Sequence, residues 1–272
     1  MDKIRPFLKW AGNKYRCLDL ILSALPQSNR LIEPFTGSGA LFLNSSYPNY
    51  LLAEQNHDLI SLYHYLKQEG QSFIDYCTPY FSGKHNNKVD FYQLRELFNQ
   101  THQTNQTRLR AALFVYLNRH GYNGLCRYNH SGQFNVPFGR YKKPYFPFKE
   151  MQAFHHQCQH AEFLQADFRN TFTLAKTGDV IYCDPPYVPL SASAYFSAYT
   201  NKNFSETDQI ALTQLAIESA NRGIPVIISN HDTEFTRDQY RQARIISFSV
   251  KRLISCKAFE RKNVQELIAI FK

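Results

Sequence analysis

The strongest constraint on the chain is the run Ile181-Tyr182-Cys183-Asp184-Pro185-Pro186-Tyr187. Val180 to Tyr182 reads as a short buried strand, a brief apolar run bounded by turn residues. Two successive prolines then fix φ twice and remove two backbone donors, so the loop is stiff and its carbonyls meet no neighbouring amides. The result is an acceptor-rich corner made of the Asp184 carboxylate, the Pro185 carbonyl and the Tyr187 ring. In an open α/β sheet, ligands bind beyond the carboxyl ends of the strands, which is where this corner would lie.

Such a corner suits a planar amino group. The lone pair of adenine N6 is delocalised into the ring, which makes the nitrogen a poor nucleophile. Two acceptors off the base plane take its two N–H bonds, favour a pyramidal nitrogen and localise the lone pair on the other face. Asp184 and the Pro185 carbonyl can be that pair, and Tyr187 can stack on the base. The plain alternative is a strand that stops at a Pro-Pro turn with an Asp at the surface.

Length and charge narrow the classes. The 272 residues suggest one large domain, or one with an insertion. The net charge of +9 favours a polyanionic partner. No apolar run approaches the roughly 18 residues of a membrane span, and the Met1-Asp2-Lys3 start is no signal peptide. A cytoplasmic protein without a membrane role is expected. The cysteines, Cys17, Cys77, Cys126, Cys158, Cys183 and Cys256, are scattered without CxxC pairs and read as reduced structural thiols. His155, His156, Cys158 and His160 crowd too closely for tetrahedral zinc, so no metal is expected.

Earlier in the chain, Phe7 to Lys14 places the only Trp, Trp10, before a small-residue turn and a helix expected over 15–25. Leu31 to Asn44 reads as strand, Gly-rich turn and helix, with Gly37 and Gly39 allowing close backbone approach to a ligand. A second strand ends at Glu54, where an acid usually binds ribose hydroxyls. A nucleoside with bound ribose and no need of phosphates fits, and S-adenosylmethionine is such a molecule. From 56 to about 118 the pattern is helical, interrupting the β/α alternation as an inserted subdomain would. Residues 119–147 lack acids and mix Arg, Asn and Gln, the bidentate readers of base edges, with Tyr and Phe. A nucleic-acid hairpin or a basic surface loop would read so. The organising strand follows a helix near 148–159, strand 161–164 and Asp167-Phe168. After it come a polar loop at 190–204, helix 205–222 opening on a Ser205 cap, strand 224–229, Asn230-His231-Asp232 and helix 233–240. Strands 243–250 and 264–271 end the chain, joined by a basic connection carrying Lys251, Arg252, Lys257, Arg261 and Lys262.

In this order the chain resembles, nearly end to end, the Dam family of DNA adenine-N6 methyltransferases. Phe7 to Lys14 is similar to its cofactor motif, Glu33-Pro34-Phe35-x-Gly37-x-Gly39 to its Gly-rich loop, Arg119 to Pro147 to its recognition hairpin, and Asp184 to Tyr187 to its catalytic motif. The order of motifs is that of the α group of amino-methyltransferases. The resemblance implies an α/β fold: a Rossmann-like seven-stranded mixed sheet with an antiparallel last strand, plus an inserted, mainly helical target-recognition domain carrying a β-hairpin. Residues 1–55 and 160–272 would form the catalytic domain and 56–159 the recognition domain.

It also implies methyl transfer from S-adenosylmethionine to N6 of adenine in double-stranded DNA, within GATC, by a monomer. Asp184, Pro185, Pro186 and Tyr187 would be catalytic. Trp10, Ala11, Gly12, Lys14, Glu33, Phe35, Gly37, Gly39, Glu54, Asp167, Phe168 and Asp184 would meet the cofactor. Tyr122 would enter the base stack and Asn123 contact the backbone. Lys9, Leu125, Arg127 and Pro137 would read bases, and Arg95, Asn129, Asn135 and Arg140 would hold phosphates. Asn13 stands where the family often has Gly, and Glu54 replaces the more frequent Asp, its extra methylene still letting it reach ribose hydroxyls.

Other functions make different demands. Cytosine-N4 enzymes usually have Ser in place of Asp184. An RNA substrate would be distinguished by competition with duplex DNA. A catalytically silent DNA-binding regulator has no need of intact cofactor and catalytic motifs. A protein-glutamine methyltransferase usually begins the motif with Asn and lacks the basic hairpin.

Overall fold

The strands are β1 (Arg30–Glu33), β2 (Asn49–Glu54), β3 (Ala161–Gln165), β4 (Asp179–Cys183), β5 (Val226–His231), β6 (Arg244–Lys251) and β7 (Asn263–Phe271). In the computed structural model of the chain, which describes residues 3–101, 106–188, 204–251 and 263–272, they form one sheet in the order β3-β2-β1-β4-β5-β7-β6. β1 is parallel to both β2 and β4, and β4 to β5. β7 is antiparallel to β5 and β6. This is the mixed α/β sheet expected, with its antiparallel last strand. Because β1 pairs with β2 on one side and β4 on the other, the strand order reverses there. The carboxyl ends of β1 and β4, at Glu33 and Cys183, therefore flank the switch point where such sheets bind ligands.

The helices are α1 (Leu18–Ala24), α2 (His57–Glu69), α3 (Gln71–Cys77), α4 (Lys88–Gln100), α5 (Thr107–His120), α6 (Phe148–Gln157), α7 (Phe168–Thr173), α8 (Glu206–Asn221) and α9 (Glu234–Gln239). Ser205 caps α8 in a reciprocal box with Asp208, as the sequence suggests.

The chain divides into two compact units. The first is Met1–Leu18, Thr36–Ser46 and Glu54–Gln165, and the second is Asp19–Phe35, Tyr47–Ala53 and Ala166–Lys272. Segment 56–159 thus falls within the first unit, which also takes the N-terminal arm and the Gly-rich loop. In this unit α5 packs against α2, α3 and α4. It is buried almost throughout, and that includes its charged Arg110. The Arg110 guanidinium donates to both oxygens of Asp58, at 2.5 and 2.9 Å, and to the Phe98 carbonyl at 2.6 Å, so the buried charge is paired and hydrogen-bonded.

Several expectations need correction. The Gly-rich turn does not feed an α-helix: Phe42–Asn44 is a single 3₁₀ turn. Asn44 bonds back to the Ala40 carbonyl and across to both backbone groups of Ile4, which favours a tight stop over continuation. The helix expected over 15–25 starts only at Leu18. β5 does not stop at Ser229 but runs through Asn230 and His231, because β7 continues to pair with it there, Asn230 with Leu267 and His231 with Glu266. The recognition hairpin has no ladder strands. It closes through the isolated antiparallel bridges Gly121–Phe138 and Tyr128–Phe134, with the Asn129 side chain taking up the Ser131 and Gln133 amides at its tip.

Of the polar loop at 190–204 only Phe204 is described. Arg252, Lys257, Arg261, Lys262 and Cys256 lie outside the described residues. Among the described residues, no helix is long and apolar enough to cross a membrane, and no group of His, Cys, Asp and Glu could hold a metal ion. His155 instead directs Nδ1 to the Leu66 carbonyl, 2.8 Å away.

Candidate active site and recognition hairpin

In the second unit, the Asp184–Tyr187 corner leaves the carboxyl end of the fully buried strand β4. Its prolines supply no amides, so the rest of the fold holds it through the remaining groups. Gln209 of α8 donates Nε2 to the Pro186 carbonyl at 2.7 Å. The Val188 amide donates to Asn230 Oδ1 at 3.2 Å, and the Val188 carbonyl lies 2.6 Å from His231 Nδ1, which fixes the Nδ1-protonated tautomer. Asn230 Nδ2 donates to Gln209 Oε1 and the Tyr240 hydroxyl, at 3.1 and 3.0 Å, closing the network. Gln209, Asn230 and His231 are all buried. The Tyr187 ring meets His231 edge-on, centroids 4.8 Å apart, and its hydroxyl donates to Glu266 at 3.3 Å. Burial pushes the Cys183 thiol well above its ordinary range, with the Asp184 and Glu33 carboxylates adding to the rise. Cys183 is therefore a neutral core thiol between two acids.

Beside the corner in this unit is an aromatic wall. Phe35 stacks on Phe168, centroids 5.5 Å apart, and Phe204 meets both. Asp167 caps α7 by accepting from the Arg169 amide at 2.9 Å, and Arg169 ties it to Asp208.

In the first unit, the N-terminal arm and the Gly-rich loop fit tightly together. Gly37 adopts φ +49°, and a Cβ there would lie 2.9 Å from Nε1 of Trp10. Only glycine allows both that conformation and that contact. The Gly37 amide donates to Glu54 at 3.2 Å, and its carbonyl accepts from the buried Tyr63 hydroxyl at 2.5 Å. Glu54 also accepts from the Gln55 and Asn56 amides. Burial raises its pKa, and these three amides hold the rise back. Lys14 is buried and donates to the Gly12 carbonyl at 2.6 Å. Ala11 and Gly12 are exposed, and Gly39 has φ +69°. A half-buried acid beside glycine backbone and an indole ring has the donor set to hold a ribose and a base.

The recognition hairpin is also built within the first unit. At its base, Tyr122 donates its amide to the Pro137 carbonyl, and Gly139 to the His120 carbonyl. Tyr122 is 47% exposed, on a turn where Asn123 takes a left-handed φ of 53°. Asn129 shapes the tip, its Oδ1 accepting from the Ser131 and Gln133 amides. Asn99 of α4 brackets Phe134, accepting from its amide and donating to its carbonyl. Arg95 stacks over Tyr92 and donates to the Val136 carbonyl at 3.1 Å. Tyr128 turns inward and donates its hydroxyl to Asp58 at 2.5 Å. Leu125 is half-buried, while Arg127, Pro137 and Arg140 are exposed. Lys9 lies against this hairpin: Asn118 bonds both its backbone groups and the Gly124 carbonyl. The Lys9 ammonium sits 3.9 Å from the Tyr141 ring centroid. Burial and the nearby Arg119 guanidinium pull its pKa down to about 8.

Sequence reasoning missed Gln209, Glu266, Asn118 and the Asp58–Arg110–Tyr128 cluster. The polar triplet Asn230-His231-Asp232 after an apolar strand was a usable signal for two corner-holding residues. An Asn amid the apolar face of α5 was a weaker one for Asn118.

The chain is similar to known proteins along its whole length. The family model of the D12 class N6 adenine-specific DNA methyltransferases matches residues 10–254. The "DNA adenine methylase" of Serratia marcescens is 48% identical, with 100% of both chains covered. Those of Escherichia coli K12 and Vibrio cholerae are each 46% identical, over 100% of this chain and 97% of theirs. Among solved structures, a precorrin 8w decarboxylase from Methanobacterium thermoautotrophicum aligns over 100% of both chains at 10% identity, with a TM-score of 0.41 that is too low to bear on function. With the Asp-Pro-Pro-Tyr corner at the end of β4 and relatives this similar end to end, the chain belongs to the D12 class of adenine-specific DNA methyltransferases.

Proposed function

We propose that the chain transfers the methyl group of S-adenosylmethionine to N6 of adenine in duplex DNA, within GATC, acting as a monomer in the cytoplasm. The observation that carries this reading is the corner itself: a carboxylate and a proline carbonyl at the switch point, on a loop held by Gln209, Asn230 and His231. The cofactor supplies an electrophilic methyl on its sulfonium. In the first unit, Trp10, Ala11, Gly12, Lys14, Gly37, Gly39 and Glu54 are the residues proposed to hold it, Glu54 through the ribose hydroxyls. In the second, they are Glu33, Phe35, Asp167, Phe168 and Asp184.

The target adenine leaves the base stack at a cost of a few kcal/mol, about what base-flipping enzymes expend. Tyr187 stacks on it. Asp184 and the Pro185 carbonyl accept its two N6 hydrogens and expose the lone pair. Transfer would form the N6–C bond as the C–S bond breaks, and the proton that N6 sheds would pass along its hydrogen bond to the Asp184 carboxylate and on to solvent. The rigid corner matters because a misplacement of about 1 Å can cost about a hundredfold in rate. Segment 56–159 is proposed to read the target. Tyr122 fills the stack, Lys9, Leu125, Arg127 and Pro137 face base edges, and Asn123, Asn129, Asn135, Arg95 and Arg140 face the backbone. The test is Asp184→Ala, assayed for duplex binding and methyl transfer in parallel. Binding without transfer is expected, and near-normal turnover would sink the mechanism.

A further inference from the structure

We infer that Asn135 is a specificity-determining positioning residue that aims the guanidinium of Arg127; this rests on the proposed reading of a guanine by Arg127. Arg127 is exposed, and a long exposed side chain ordinarily samples many rotamers, an entropy it must lose to read a base. Here it is already held. Its Nε donates to Asn135 Oδ1 at 2.7 Å, and its Nη2 donates to the Asn135 carbonyl at 3.3 Å. The Asn135 amide in turn donates to the Arg127 carbonyl at 3.0 Å. The two residues are therefore locked to each other across the hairpin.

The geometry selects which donors remain. A guanidinium offers two bidentate edges, one made by Nε and Nη2 and one by Nη1 and Nη2. Asn135 occupies the first edge and leaves the second facing outward. The outward edge carries two parallel N–H groups, the pattern that the O6 and N7 acceptors of guanine require. Because Oδ1 is the atom that accepts from Arg127, the Asn135 Nδ2 hydrogens are left for another acceptor, such as the backbone phosphate proposed for this residue. One amide would then tie a contact that sets register to the side chain that reads a base.

The platform beneath the pair is firm. Asn99 brackets the Phe134 backbone and Arg95 holds the Val136 carbonyl, one residue to either side of Asn135. Tyr128, next to Arg127, is anchored on Asp58. Preorganisation of this kind improves recognition by lowering the ordering cost of the reader without adding a contact to DNA.

The test compares kcat/KM on GATC and on its single-base variants for the full chain and for Asn135→Ala, Asn135→Asp, Arg127→Ala and the double variant. Asn135→Ala should lower discrimination at the one guanine that Arg127 reads by about fivefold, the scale of one exposed charge-assisted hydrogen bond. Once Arg127 is Ala, it should change the discrimination ratio no further, the loss of its proposed phosphate contact lowering all sites alike. Asn135→Asp keeps the acceptor and should restore the discrimination ratio, while its added negative charge weakens all sites. Independently of activity, the Arg127 Nε–H NMR signal of the free protein should be protected from solvent exchange and lose that protection in Asn135→Ala. Equal loss at every site in Asn135→Ala, or an Nε–H signal indifferent to the substitution, would overturn the inference. A wild-type enzyme with no preference for GATC would instead overturn the proposed function, with the NMR signal still reporting on the hydrogen bond.

Discussion

Replacing Gln209 by Glu exchanges the hydrogen-bond donor beneath the proposed catalytic corner for a carboxylate oxygen. The side chain keeps its length and keeps an oxygen for the Asn230 amide, 3.1 Å away. It loses the donor that meets the Pro186 carbonyl at 2.7 Å, and an ionised oxygen there would face that carbonyl lone pair to lone pair. Leaving this part-buried acceptor unsatisfied costs up to about 1–3 kcal/mol, a strain the loop relieves by moving, since its prolines have no amides to offer in exchange. Displacements on the 1 Å scale cost about a hundredfold in reactions that depend on alignment. We therefore expect kcat to fall about tenfold to a hundredfold, with KM for duplex DNA within about twofold of wild type, because Gln209 touches no proposed DNA-binding residue. The assay is steady-state methyl transfer to a GATC duplex, with folding checked by thermal unfolding. A variant that stays folded and turns over at the wild-type rate would show that this hydrogen bond does not position the corner.

Arg127→Ala should relax selectivity at one guanine, a contact worth about 1–3 kcal/mol, whereas Arg140→Ala should weaken all sites nearly alike and reduce the salt slope by about one unit; kcat/KM on GATC and its variants at two salt concentrations separates them, and the reverse pattern would exchange their roles. Lys9 should lose its proton as pH rises from about 7 to 9, because burial and Arg119 bring its pKa down to about 8. Duplex affinity should then decline over that window in the wild type and decline less in Lys9→Arg, which stays charged; parallel pH profiles would contradict the role. Arg110→Ala should cost about 3–5 kcal/mol in chemical denaturation by stranding the Asp58 carboxylate in the core, and a loss below about 1 kcal/mol would show that Asp58 does not depend on Arg110 for its pairing.

How much of this was legible in the sequence depended on whether the causes were local. Two prolines after an apolar run announce a stiff acceptor corner, and a Gly-x-Gly before a strand ending in Glu announces a tight glycine turn against a carboxylate, because each depends on short stretches of sequence. Contacts far apart in the chain were not legible. Arg110 and Asp58 pair across 52 residues, and nothing in an arginine on an apolar helix face names its partner. Gln209 reaches back 23 residues to Pro186. Arg127 and Asn135 are close in sequence, but their pairing needs a hairpin register that the Gly, Asn and Pro content of the segment does not set. The helix expected after Gly39 failed because its apolar pattern was real while its length, cut short at Ser45, allowed only one tight turn.

The proposed activity is methylation of adenine N6 in duplex GATC with S-adenosylmethionine as donor. The most direct measurement incubates the purified chain and labelled S-adenosylmethionine with a randomised duplex DNA pool, then maps the modified base and its neighbours. Label on adenine N6, concentrated in GATC, is expected, and none with Asp184→Ala. Label on cytosine N4, label spread over adenines without sequence context, or incorporation by Asp184→Ala equal to wild type would contradict it.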